Sequence, residues 1–194
     1  MPDNLLQLKR LVNSIGQLEE NDWNAFSSIW ESYSAKRKTV ITSQGDTERY
    51  LYFVLEGVQR VYYLDALGRE ATLVFTYPPS FGGVIDSLLL HQPSRYFYET
   101  ITSSKFLKAP FAKLEKLLNA SPDLERIFRQ GTAGALSGVL ERLVELQCYS
   151  SEEKFRKLLA RSPHILKVVP HKYLANYIGI DATNFSKLMN KIQI

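Results

Sequence analysis

Tyr50-Leu51-Tyr52-Phe53-Val54-Leu55-Glu56-Gly57, continued by Val58-Gln59-Arg60-Val61-Tyr62-Tyr63-Leu64 and then Asp65-Ala66-Leu67-Gly68, decides the fold. Aromatic and β-branched residues dominate both runs, and each run ends in residues that favour turns, so the pattern is strand, turn, strand, turn. The same alternation extends both ways. Thr39-Val40-Ile41 precedes Gln44-Gly45-Asp46, and Glu70 to Tyr77, Tyr96 to Thr102 and Phe106 to Ala109 follow. Short strands at this spacing over residues 38–109 predict a sandwich or jelly-roll barrel. Upstream, residues 3–35 read as helical: Leu5, Leu8, Leu11, Val12 and Ile15 share a face, Gly16 stops the run, and Trp23, Phe26 and Trp30 mark a second one.

Downstream, Pro110 opens a helix through Leu118. Ser121-Pro122-Asp123-Leu124 is a helix start, with a capping serine, proline in the first turn and an early acid. A long helix is expected from there to about Cys148, its apolar face drawn through Leu124, Phe128, Leu136, Val139, Leu143 and Leu146. Gly131, Gly134 and Gly138 interrupt it, each at about 1 kcal/mol relative to alanine, which points to tight packing against another element. A barrel of this size leaves little to cover that stripe, so a homodimer seam through Gly131, Leu136, Val139 and Leu143 is expected.

Charge separates the two ends of the chain. The 194 residues carry a formal net charge of +4, yet residues 151–194 alone hold eight Lys/Arg against three Asp/Glu. A basic end on a near-neutral body suits a polyanion partner, although a solvated helix face gives the same count. Within that end, Pro170-His171-Lys172-Tyr173-Leu174-Ala175-Asn176-Tyr177-Ile178-Gly179-Ile180-Asp181 runs into Ala182-Thr183-Asn184-Phe185-Ser186-Lys187-Leu188-Met189. Leu174 and Ile178 form an apolar face, Ala175 permits a close crossing, Gly179 turns the chain, Ile180 plugs the gap and Asp181 caps a second helix. This is the pattern of a helix-turn-helix. Its second helix exposes Ala182, Thr183, Asn184, Ser186, Lys187 and Asn190, with Lys172 and Lys191 as flanking cations for phosphate. The alternative is a generic helical hairpin.

Taken together, the Tyr50–Gly57 run with its following strand, the Phe81-Gly82-Gly83 turn, the long helix and the Leu174–Met189 pattern resemble the Crp/Fnr family of bacterial transcription regulators. The resemblance implies an α+β chain with three parts. Residues 1–120 would form a cyclic-nucleotide-binding-like double-stranded β-helix (jelly-roll) barrel, 121–150 a dimerisation helix, and 151–194 a helix-turn-helix DNA-binding domain. The implied partners are double-stranded DNA and a second copy of the chain, in the cytoplasm and away from membranes. The family's usual β-hairpin wing has no counterpart after Lys191, so a wingless version is expected.

Departures from the family pattern bear on the effector. Members that bind cyclic AMP carry Gly-Glu at a turn and Arg-Ser beyond a short helix; here Gly83 stands in the glutamate's place and the second pair is Ser94-Arg95. One place along a strand reverses the face from which a side chain emerges. The helix positions that would close over the base fall on the apolar Val139 and Leu140. The pocket formed by Gly82, Gly83, Val84, Ser94, Arg95, Val139 and Leu140 is therefore expected to be degenerate and not to bind cyclic AMP. It would be empty of ligand or would accept an unknown small anion at the Gly82–Val84 amides.

No cofactor or metal is expected. Cys148 is the sole cysteine, too few for an iron–sulfur cluster, and His91, His164 and His171 are scattered. Cys148 reads as a core or interface residue. No nucleophile–base constellation suggests an enzyme. The alternative function is a small-ligand sensor or protein-interaction module whose shortened DNA-binding end is inactive.

Overall fold

The computed structural model describes residues 3–191. Residues 192–194, on which the expectation of a missing wing rests, lie outside that range, as do residues 1–2.

Two four-stranded antiparallel sheets face each other. One has the order β1 (Glu31–Ala35), β8 (Ser104–Pro110), β3 (Tyr50–Glu56), β6 (Ser80–Gly82). The other has the order β2 (Val40–Thr42), β7 (Phe97–Thr100), β4 (Gln59–Leu64), β5 (Glu70–Thr76). The apolar run in β3 is continuous because both faces are covered. Tyr52 and Val54 point into the barrel with Val61, Tyr98 and Phe106. Leu51 and Phe53 point outward, onto Leu8, Val12, Trp23 and Phe26 of helices α1 (Asp3–Ile15) and α2 (Glu20–Ser28) and onto Leu114 of α4 (Phe111–Ala120). A strand buried on both sides loses the polar alternation of a half-exposed one.

The expected helical stretch over residues 3–35 needs a correction. Glu31–Ala35 is strand, paired with β8 from Glu31↔Lys108 to Ala35↔Ser104. Tyr33 and Ala35 alternate inward onto the barrel core, a period of two that a helical reading of the segment hides. The short β6 is a further strand without a sequence signal; its three residues carry too little pattern and are held by register with Tyr52–Val54. A short helix, α3 (Ile85–Leu90), follows it.

Helix α5 (Pro122–Cys148) starts as its sequence dictates, with Ser121 Oγ accepting from the Leu124 amide at 3.2 Å. Its first turns are anchored by Leu124 and Ile127. Farther along, Leu136, Val139, Leu140, Leu143 and Val144 are each about half exposed (48–58 %). Gly131 does not lie on that stripe, because a Cβ there would meet Ile15 of α1 at 3.6 Å. Cys148 is exposed, so it is no part of the core.

The remaining helices, α6 (Ser151–Arg161), α7 (Ile165–Val168), α8 (His171–Tyr177) and α9 (Ala182–Lys191), close over Phe155, Leu158, Leu174, Ile178, Phe185 and Leu188. That core is continuous with Val58 and Ile101 of the barrel. A second link is polar. β5 is an edge strand, and Asn176 of α8 completes its edge: the Thr72 amide donates to Asn176 Oδ1 at 2.6 Å, and Asn176 Nδ2 donates to the Glu70 carbonyl at 2.7 Å. One carboxamide thus makes the two hydrogen bonds that a neighbouring strand would supply. Asn176→Ala should cost about 1–2 kcal/mol through the exposed strand edge and the lost pair. Hydrogen exchange would report this locally, as faster exchange of the Thr72 amide; unchanged protection there would contradict the clamp.

Candidate functional site

The turn after β6 brings Gly82, Gly83 and Val84 over the mouth of the barrel, and all three are buried. The space beneath them is filled by side chains. A Cβ on Gly82 would collide with the Tyr98 hydroxyl, so only glycine fits. Gly83 adopts φ +114°, which side chains oppose, with Tyr52 and Glu48 directly below it. The Glu48 carboxyl group, only 5 % exposed, sits where an anion would meet this turn. Oε2 accepts from Thr42 Oγ1 at 2.5 Å and from the Val84 amide at 3.4 Å. Oε1 accepts from the Arg49 and Tyr50 amides at 3.0 and 3.2 Å. The Glu48 amide is held in turn by Ser87 Oγ at 3.0 Å.

Burial raises the Glu48 pKa above the usual carboxylate range, while the bonds from Thr42, Tyr50, Val84 and Arg49 pull the other way without cancelling it. Burial likewise pushes the Tyr52 and Tyr98 hydroxyls up, and the Glu48 charge adds to both shifts. Tyr98 is wholly buried and its hydroxyl meets Thr76 Oγ1 at 3.1 Å, which itself donates to Gln59 Oε1 at 2.9 Å. The interior thus holds two buried polar groups, one around Glu48 and one running from Tyr98 through Thr76 to Gln59.

The other expected pocket residues point elsewhere. Ser94 is buried, but its Oγ donates to the Tyr96 carbonyl at 2.7 Å and accepts from the Tyr96 amide at 2.9 Å, so it serves its own turn. Arg95 is exposed, its guanidinium 5.9 Å from the Tyr96 ring. Ser94 and Arg95 lie in the bend before β7, not on a strand, so no reversal of strand face applies to them. Val139 and Leu140 stand about half exposed on α5.

At the other end, α8 and α9 are joined through Gly179 at φ +64°, and the Asn184 amide donates to Asp181 Oδ1 at 2.8 Å as an N-cap. Phe185 and Leu188 face the core, leaving Ala182, Thr183, Ser186, Lys187 and Asn190 exposed, with Asn184 half-buried. Lys172 is also exposed, at the start of α8. Lys191 is not free: it pairs with Glu152 at 2.8 Å.

Two arginines join this unit to the rest. Arg60 of β4 is 3 % exposed, bonds Glu70 Oε1 at 2.5 Å and Glu99 Oε2 at 2.9 Å, and lies 4.0 and 3.9 Å from the Tyr62 and Tyr173 ring centroids. Burial opposes its charge, but the two carboxylates outweigh that and hold its pKa up. Arg142 of α5 stacks 3.2 Å above the Tyr177 ring, and burial lowers its pKa.

Sequence reasoning missed Glu48, Arg60 and Asn176. Each is a polar residue beside an apolar run, and nothing local separates such a residue from a solvated one. Nor does any local pattern mark an apolar cavity of about 360 Å³ between α1, α5 and the β6 turn, lined by residues such as Leu11, Ile15, Phe81, Ile127, Phe128 and Gly131. Among the described residues no cluster of three His, Cys, Asp or Glu could hold a metal, and no helix is long and apolar enough to cross a membrane.

Residues 33–121 match the family described as cyclic nucleotide-binding domain. The nitrogen fixation regulation protein FixK of Bradyrhizobium diazoefficiens is 27 % identical over 164 residues, spanning 79 % of this chain and 68 % of that protein. The structure of FixK2 from Bradyrhizobium japonicum superposes with a TM-score of 0.74 at 18 % identity, covering 84 % of each chain. A Crp/Fnr-family transcriptional regulator from Thermus thermophilus superposes with a TM-score of 0.63 at 23 % identity, covering 83 % of this chain and 84 % of that one. The likeness to the two solved structures is one of fold.

Proposed function

We propose that the chain is a transcription regulator of the Crp/Fnr type, which its sequence and fold resemble, that it binds double-stranded DNA as a homodimer and that it is not controlled by cyclic AMP. The observation that carries the second half is Glu48. Its carboxyl group accepts from the Val84 amide and lies beneath Gly83, while Tyr98 fills the room beneath Gly82, so a cyclic phosphate has no space to enter there. A bound phosphate there would face a buried acid instead of an arginine, since Arg95 is exposed. The barrel of residues 1–120 is on this reading a degenerate pocket that holds itself in one state.

The DNA-binding half rests on residues 151–194 read as a helix-turn-helix. Short polar side chains on the outer face of α9 suit major-groove base edges, with Lys187 and Lys172 on phosphates. The apolar stripe Leu136, Val139, Leu140, Leu143 and Val144 of α5 supports dimerisation through residues 121–150. A partner helix would cover it and set the spacing of two half-sites. With DNA as its partner, the protein acts in the cytoplasm.

Selection from random duplexes followed by gel-shift titration tests the reading. Lys187→Glu is expected to weaken binding to the selected sequence about tenfold or more at low salt, because a phosphate contact becomes a repulsion. Binding without sequence preference, or insensitive to Lys187→Glu, would overturn it. The second reading, a ligand sensor with an inactive DNA-binding end, is favoured by one feature, the cavity of about 360 Å³ beside α5. Its apolar lining fits a small apolar molecule and not the anion expected at Gly82–Val84.

A further inference from the structure

Between β1 and β2 the chain carries three consecutive cations, Lys36, Arg37 and Lys38, all exposed and none in an ion pair among the described residues. The turn is held firmly. Thr100 of β7, fully buried, donates from Oγ1 to the Lys36 carbonyl at 2.6 Å and accepts there from the Thr39 amide at 2.9 Å. Its own carbonyl accepts from the Lys38 amide at 2.8 Å. This anchoring holds Lys38 at φ +61°, the left-handed region where glycine or asparagine would be at ease. A lysine kept in a strained backbone by a rigid frame is a reason to look for a use of its charge.

Tertiary placement supplies the use. A cleft of about 270 Å³ is lined on one side by Arg37 and Lys38 and on the other by Pro170, Lys172 and Tyr173 at the start of α8. Glu99 also borders it, but its carboxylate is held by Arg60 and so does not neutralise the turn. In a helix-turn-helix the first helix crosses the DNA backbone while the second lies in the groove. The barrel turn therefore stands beside the element that meets phosphates.

We propose that Lys36, Arg37 and Lys38 of the barrel are a DNA-backbone contact, which extends the interface past the α8–α9 unit onto phosphates flanking the half-site. The inference rests on the DNA-binding reading above. It adds that the barrel takes part in DNA binding directly and is not merely the carrier of a dimer helix.

The test uses the full chain and two duplexes with the same selected core, one ending flush with the half-sites and one extended by about 10 base pairs on each side, one helical turn. On the extended duplex, Arg37→Gln/Lys38→Gln should flatten the slope of log K against log salt by about 2 per protomer, since each phosphate contact contributes about 0.9. On the flush duplex wild type and variant should bind alike. Lys38→Gly, which relieves the positive φ and removes the charge, should weaken extended-duplex binding as Lys38→Gln does. Lys113→Gln/Lys116→Gln on α4 removes equal charge as a control and should change neither duplex. Equal loss on both duplexes, or a slope unaltered by the double variant, would overturn the inference while leaving the regulator reading standing. So would a thermal shift by inorganic phosphate that the double variant abolishes without altering DNA binding, because the cleft would then serve a small anion. Failure of the wild type to bind either duplex would overturn the regulator reading and this inference with it.

Discussion

Glu48→Ala should destabilise the protein by about 2–4 kcal/mol and make its stability respond to added phosphate. Removing the carboxyl group leaves the Val84 amide and the Thr42 hydroxyl without their acceptor in a buried site, and the Arg49 and Tyr50 amides lose theirs as well. Each buried donor left unmet costs about 1–3 kcal/mol, less where water can enter. For a chain of this length that loss lowers the thermal midpoint by about 5–15 °C. The vacated space is shaped and wired for a small anion, so millimolar phosphate should recover part of the loss by binding only the folded state. A variant as stable as wild type, or one indifferent to phosphate, would mean that Glu48 does not stand in for a ligand. The pH dependence follows from the direction of the shift. Because the folded-state pKa lies above the unfolded one, the contribution of Glu48 is fully present below the ordinary carboxylate range and is lost as pH rises through the raised value. Urea unfolding across that range should show wild type losing stability relative to Glu48→Gln as pH increases; the opposite trend would count against a burial-raised carboxyl.

Arg60→Ala should cost about 3–5 kcal/mol, the range for breaking a buried ion pair from one side. Its guanidinium is the common partner of Glu70 and Glu99, which are 31 % and 14 % exposed, so the variant leaves two partly buried carboxylates facing each other. It also removes the cation between the Tyr62 and Tyr173 rings, and Tyr173 belongs to α8. On the proposed DNA-binding reading the loss should reach DNA affinity as well as stability, because α8 loses a contact that seats it on the barrel. Arg60→Lys should recover only a part, since an ammonium cannot make the paired bonds of the guanidinium or stack between rings. Denaturant unfolding of the three proteins checks the order. A loss under about 1 kcal/mol for Arg60→Ala would show that the pair is no better than a surface one.

The distribution of legible and illegible features has a physical cause. Helix caps are local: Ser121 and Asp181 bond to amides three residues on, so residue type and spacing suffice to place them. Strand runs such as Tyr50–Leu55 are legible for the same reason, because period and propensity act over neighbouring residues. Glu31–Ala35 reads wrongly as helix because five residues with few apolar side chains take their conformation from β8, a strand distant in the chain. The misplacement of Gly131 is similar, since what a glycine faces depends on α1 and not on the helix that carries it.

The same division runs through the functional reading. By itself the sequence determined the barrel, the long helix and the α8–α9 pattern with its exposed Ala182, Thr183, Ser186 and Lys187. These are matters of residue type at fixed spacing. Only the tertiary structure decided what fills the mouth of the barrel and what flanks the last helices. Glu48 meets Val84 across 36 positions, Asn176 meets Thr72 across 104, and Lys38 shares a cleft with Lys172. A buried carboxyl and a solvated one are the same letter in a sequence, and burial, which sets the chemistry of each, exists only once distant segments have packed.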